Sequence, residues 1–126
     1  MIYEDEKDYI MRMIKEIARV LFSLMLGKSY QQVELPKENK YSVSGRDMDD
    51  FRTMVDQGKI NEAENILLES LDYENPGELE TAILFYEYVS EKGEEFLERN
   101  NYSLEEALDG LRQLAKRTGY EELVES

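Results

Sequence analysis

The sequence predicts an all-α fold: a long N-terminal helix, a linker, then four helices arranged as two repeat-like antiparallel hairpins. Three observations carry this expectation. Apolar residues recur at helical spacing in five segments. Only two prolines and seven glycines interrupt 126 residues, so long helices are permitted. Phe51 to Pro76 reads as two short helices joined by a Gly turn, with Gly58 ending the first and Pro76 stopping the chain beyond the second. The length suits one helical domain, residues 1–126, divided into an N-terminal helix 1–27, a linker 28–45 and an acidic helical bundle 46–126.

The first helix is expected from about Asp5 to Leu26. Ile10, Ile14, Ile17, Leu21 and Leu24 recur at spacings of 4, 3, 4 and 3, which places them on one face, with Arg12, Lys15, Glu16 and Arg19 opposite. Toward its end Val20, Phe22, Met25 and Leu26 extend the apolar surface almost all round, and a helix apolar on all sides must be covered. It either inserts among the other helices or meets a second copy of itself. The second option makes Leu21, Phe22 and Met25 candidates for a homodimer contact. Gly27 supplies the stop.

Residues 28–45 show no helical period and contain Pro36. An 18-residue connection is long for a compact domain, and Gln31 to Leu35 suits a short extended piece. The second helix follows, with Ser44 as N-cap, Asp47 in the first turn, and Met48, Phe51, Met54 and Val55 inward. The third spans about Asn61 to Asp72, capped by Asn61, with Ala63, Ile66, Leu67 and Leu71 inward.

After Pro76-Gly77, the fourth helix carries two apolar stripes. Leu79, Ala82, Ile83, Tyr86 and Val89 form one; Leu84, Phe85 and Tyr88 form the other. Two such faces suit a central helix, or one that leaves a groove for a ligand, and the groove reading makes Phe85, Tyr86 and Tyr88 binding candidates because rigid aromatics are good anchors. Gly93 is costly in a helix interior and bends or splits the helix before Phe96 and Leu97. The fifth helix starts at Ser103, where Ser103-Leu-Glu-Glu106 has capping-box spacing, and it turns Leu104, Ala107, Leu108, Leu111, Leu114 and Ala115 inward before Gly119 closes it.

Composition narrows the chemistry. Histidine and cysteine are both absent, which removes Cys/His zinc sites, disulfides, Cys nucleophiles and every His-based general base. The acidic start argues against a signal peptide, and the most apolar run, Val20 to Leu26, is far shorter than the ~20 residues of a membrane span. Residues 1–46 hold 8 Lys/Arg and 7 Asp/Glu, net +1, whereas residues 47–126 hold 7 and 22, net −15. That charge repels phosphate backbones, so no nucleic-acid partner is expected. It serves solubility, or it draws in a basic protein partner.

Three resemblances extend this reading. Gly58, Ile60, Ala63, Leu67, Ser70 and Pro76 resemble the second helix of a tetratricopeptide repeat, with Ile60 in place of the family's aromatic residue, Pro76 one place late, and Asp47 and Asp50 where the family has apolar residues. The opening Lys7 to Lys28 is similar to that of a family of small uncharacterised helical proteins from anaerobic Gram-positive bacteria, which implies the architecture and no activity. Glu94, Glu95 and Glu98, followed by Glu106 and Asp109, resemble the metal-binding carboxylates of all-α nucleotide pyrophosphohydrolases. Only seven residues separate those two groups, however, and so acidic a chain produces such spacings by chance. The expected function is therefore a cytoplasmic, non-catalytic protein–protein interaction module, with no catalytic residue, cofactor or metal assigned. A divergent Mg²⁺-dependent pyrophosphohydrolase is the alternative.

Overall fold

The computed structural model describes the backbone of residues 2–26, 42–43 and 46–119, and the side chains of residues 9–24 and 46–119. Six helices fill the described residues: α1 (Ile2–Leu26), α2 (Met48–Asp56), α3 (Ile60–Ser70), α4 (Pro76–Glu91), α5 (Glu94–Arg99) and α6 (Leu104–Thr118). Two strands, β1 (Ser42–Val43) and β2 (Arg46–Asp47), pair antiparallel just before α2, with Ser42 opposite Asp47 and Val43 opposite Arg46. Strands of two residues are too short to leave an alternating pattern, so this ladder, which joins the end of the expected linker to the start of the expected bundle, was not legible. The rest of that linker, including Gln31 to Leu35, lies outside the described residues.

Helix α4 is the hub. It packs against α1, α2, α6 and β1, and α1 also lies along α6. The whole first stripe, Leu79, Ala82, Ile83, Tyr86 and Val89, is buried, whereas in the second only Phe85 is, with Leu84 and Tyr88 partly buried. Asn75 caps it by accepting from the backbone N–H groups of Gly77 and Glu78, and Pro76 takes the first helical position, where no N–H is needed. Gly93 adopts φ +88 and splits the expected fourth helix into α4 and α5.

The buried face of α1 is rotated from the expected stripe. Ile14, Ile17, Ala18, Leu21 and Phe22 are buried, Ile10 is only partly so, and Leu24 is 42% exposed. A repeat averaging 3.5 residues drifts around a straight helix of 3.6 residues per turn, and Phe22 takes the place that Leu24 leaves. Two of the three self-association candidates, Leu21 and Phe22, are thus fully buried within the chain. The side chain of Met25 lies outside the described residues.

Two expected caps move. Asp47, not Ser44, caps α2: its carboxylate accepts from Asp50 N at 3.0 Å, while Asp50 Oδ2 accepts from Asp47 N at 3.2 Å. This reciprocal pair satisfies two otherwise orphaned donors. Helix α3 starts one residue earlier than expected, with Lys59 at the cap position and no side-chain bond there. Asn61 instead donates to the Asn101 carbonyl at 3.0 Å, tying α3 to the turn after α5. Ser103 caps α6 as expected, and Gly119 ends it at φ +89.

Candidate binding pocket

The aromatic trio of α4 divides in space. Phe85 is fully buried, edge-on to Phe51 at 6.0 Å and to Tyr86 at 5.3 Å between ring centroids. Tyr86 is fully buried as well. Phe85 is enclosed where α1, α2 and α6 pack around α4, whereas the buried Tyr86 borders the pocket between α3, α4 and α6. Tyr88 is half-buried and already engaged. Its hydroxyl donates to Asp56 Oδ1 at 2.6 Å, and its ring lies beneath Arg52 (5.6 Å) and Lys92 (5.3 Å). Lys92 also sits over Phe96 at 5.2 Å and forms an ion pair with Asp56. The hydrogen bonds from Lys92 and Tyr88 hold the Asp56 carboxyl below its ordinary range, and Asp56 in turn pushes Lys92 up.

An open pocket lies instead between α3, α4 and α6, with a volume of about 370 Å³. Glu64 and Leu68 face it from α3, Tyr73 from the α3–α4 loop, and Tyr86 from α4. Helix α6 supplies Glu106, Asp109, Gly110, Gln113, Leu114 and Arg117. That row recurs at spacings of three and four, so one helix face forms a whole wall.

Glu64 anchors the pocket floor. Its Oε2 accepts from the Tyr86 hydroxyl at 2.7 Å and from the Tyr102 hydroxyl at 3.2 Å. Burial pushes the Glu64 carboxyl above its ordinary value, the two phenols partly oppose that shift, and nearby Glu106 adds to it. Burial first, and then Glu64 itself, push both phenols far up, so they stay protonated and act as fixed donors. Gly110 makes this arrangement possible. A Cβ at position 110 would collide with the Tyr86 ring, so the tyrosine reaches Glu64 only across a residue without a side chain. At the rim, the Arg117 guanidinium stacks over Tyr73 at 5.5 Å.

Of the acidic candidates, Glu106 and Asp109 line this pocket while Glu94, Glu95 and Glu98 lie apart from it on α5. Among the described residues no group of three carboxylates is arranged to hold a metal ion. No described helix is long and apolar enough to cross a membrane. Sequence reasoning missed Glu64, Tyr102 and Gly110. Glu64 has no local signature among so many acidic residues. Gly110, an isolated glycine inside a strongly amphipathic helix, was the available signal, since such a position costs about 1 kcal/mol relative to Ala unless a close neighbour requires it.

The chain matches no curated protein and no solved structure. A family model, the family of unknown function DUF6483, matches residues 4–119. The chain belongs to that family, whose span takes in both α1 and the pocket helices.

Proposed function

We propose that this member of the DUF6483 family is a non-catalytic, cytoplasmic polypeptide-interaction module whose partner presents basic side chains. One observation carries the reading: the α3–α6 pocket is open, and three carboxylates line it beside aromatic and apolar walls. Such a lining favours a cationic, partly apolar guest over a phosphate. The net charge of −15 over residues 47–126 supports the same partner by steering it from a distance. In this reading the helices after the linker act as two repeat-like, tetratricopeptide-like hairpins that present one face of α3 and α6 to the partner. A homodimer through the N-terminal helix would use residues other than Leu21 and Phe22, which the chain's own helices already cover.

Selection from a peptide library tests this reading. A recurring motif with Lys or Arg at a fixed position is expected, and its association rate should fall as salt rises. Enrichment of acidic peptides, of positive charge without any register, or of sequences indifferent to salt would contradict it.

A further inference from the structure

The hydrogen bonding of Glu64 leaves a specific opening. Both phenols bond the same oxygen, Oε2, and among the described residues Oε1 takes no hydrogen bond. The carboxylate is therefore held in one orientation from one side only. Opposite charge is scarce around it. From α6, Glu106 and Asp109 add negative charge, and among the described residues the only cation lining the pocket, Arg117, is stacked on Tyr73. Tyr86 from α4 and Tyr102 from the turn before α6 are neutral donors and bring no compensating charge. A half-buried carboxylate that is oriented, open on one oxygen and flanked by further carboxylates is complementary to a charged donor.

The walls and the size specify the rest of the guest. Tyr73, Leu68 and Leu114 offer aromatic and aliphatic surface along the way to Glu64. A volume of about 370 Å³ is near the lower end of the ~300–1,000 Å³ typical of small-molecule sites. That is room for one long side chain and too little for a large cofactor. Lysine and arginine have the required form: an apolar stem that packs on apolar surface and a charged head that seeks a carboxylate.

We infer that the pocket holds a single lysine or arginine side chain of the partner, its charged head on Glu64 Oε1 and its aliphatic stem against Tyr73 and Leu114. This rests on the docking reading above and names the part of the partner that the pocket recognises. It also predicts a proton linkage. A seated cation favours the ionised form of Glu64, against the burial that pushes this carboxyl up. Binding therefore tightens as pH rises through the Glu64 titration.

The probes are N-acetyl-arginine methylamide, N-acetyl-lysine methylamide and, as a neutral control, N-acetyl-norleucine methylamide. Each is titrated into the full-length chain and followed by backbone amide NMR. The cationic probes should shift the amides of Glu64 and Gly110 and leave those around Tyr88 and Lys92 in place, while norleucine shifts none. Glu64→Gln keeps the hydrogen-bonding outline of the side chain and should weaken the cationic probes roughly tenfold or more; Asp109→Asn, at the exposed rim, should weaken them less. Equal shifts with norleucine, shifts scattered over the acidic surface, or unchanged affinity in Glu64→Gln would overturn the pocket assignment. The library-selected peptide separates the two readings. If it binds wild type and Glu64→Gln equally, the docking function stands and the pocket inference falls. If no basic peptide is selected at all, both fall.

Discussion

Two tyrosine–carboxylate clusters, on opposite sides of α4, differ in one respect. At the surface, Tyr88 donates to Asp56, and Lys92 completes the pair from the same chain. In the pocket, Tyr86 and Tyr102 donate to Glu64, and no lysine or arginine is hydrogen-bonded to it among the described residues. The acids respond in opposite directions: hydrogen bonding to Lys92 draws Asp56 below its ordinary value, and burial drives Glu64 above its own. A phenol–carboxylate bond alone does not decide the direction: Lys92 beside Asp56 draws that acid down, and burial drives Glu64 up. The Asp56 cluster has its cation within the chain, and on the proposal above a guest supplies the one at Glu64.

The largest expected effect separates the two tyrosines. Tyr86→Ala removes a fully buried ring from the junction of α3, α4 and α6 and should cost about 3 kcal/mol or more in urea unfolding. Tyr88→Ala, at a half-exposed site, should cost less than about 1 kcal/mol. Similar losses at both positions would mean that the clusters are not the buried and surface pair described here.

The next effect is the pH dependence of stability, and here the signs oppose. Glu87 of α4 is 6% exposed, and its carboxyl is pushed up to about 7 by burial and then by Glu91, against the pull of Lys15 and Arg19 on α1. Its folded value lies above its unfolded one, so its contribution is fully present below the ordinary carboxylate range and is lost as pH rises toward about 7. Glu64 acts in the same direction. Asp56 acts oppositely, contributing above its ordinary value and losing that contribution as pH falls through its lowered one. Urea midpoints measured between pH 5 and pH 8 should therefore decline for the wild type, and Glu87→Gln should remove on the order of 2 kcal/mol of that decline. A midpoint that rises over this window would contradict the burial of Glu87.

Gly110→Ala should cost roughly 1–2 kcal/mol: the clash with the Tyr86 ring outweighs the gain in helix propensity. It should also weaken the Tyr86–Glu64 bond, which Tyr ring resonances would report. A stabilised Gly110→Ala protein would show that the close approach is not needed. The smallest effect belongs to Lys92→Met, which breaks the surface ion pair and should change stability by less than about 1 kcal/mol, with salt dependence reduced.

The helices of this fold were legible where one face alone is buried. All six inward positions expected on α6 are buried, because a single apolar stripe with a clear polar side has one solution. The splitting residue Gly93 and the closing residue Gly119 were legible because both adopt the positive φ that glycine tolerates best. The cap of α2 was not, since Ser44 and Asp47 both suit the role and only the reciprocal bond with Asp50 selects between them. For α4 the pattern allowed an enclosed helix or a grooved one, and the choice depended on whether α1 returned to cover it. Of the pocket, Glu106 and Asp109 were legible as carboxylates on one helix face. Glu64 and Tyr102 were not, because their meeting is set by the packing of α3 against the turn before α6 and leaves no local spacing in the chain.

The claim that Glu64 awaits an external cation is tested most directly by following its side-chain carboxyl carbon by NMR through a pH titration, with and without N-acetyl-arginine methylamide. In the free protein Glu64 should titrate above the ordinary glutamate value and Asp56 below the ordinary aspartate value. The probe should lower the Glu64 midpoint and leave Asp56 unmoved. A Glu64 midpoint at or below the ordinary value in the free protein, or one that the probe does not lower, would contradict the account.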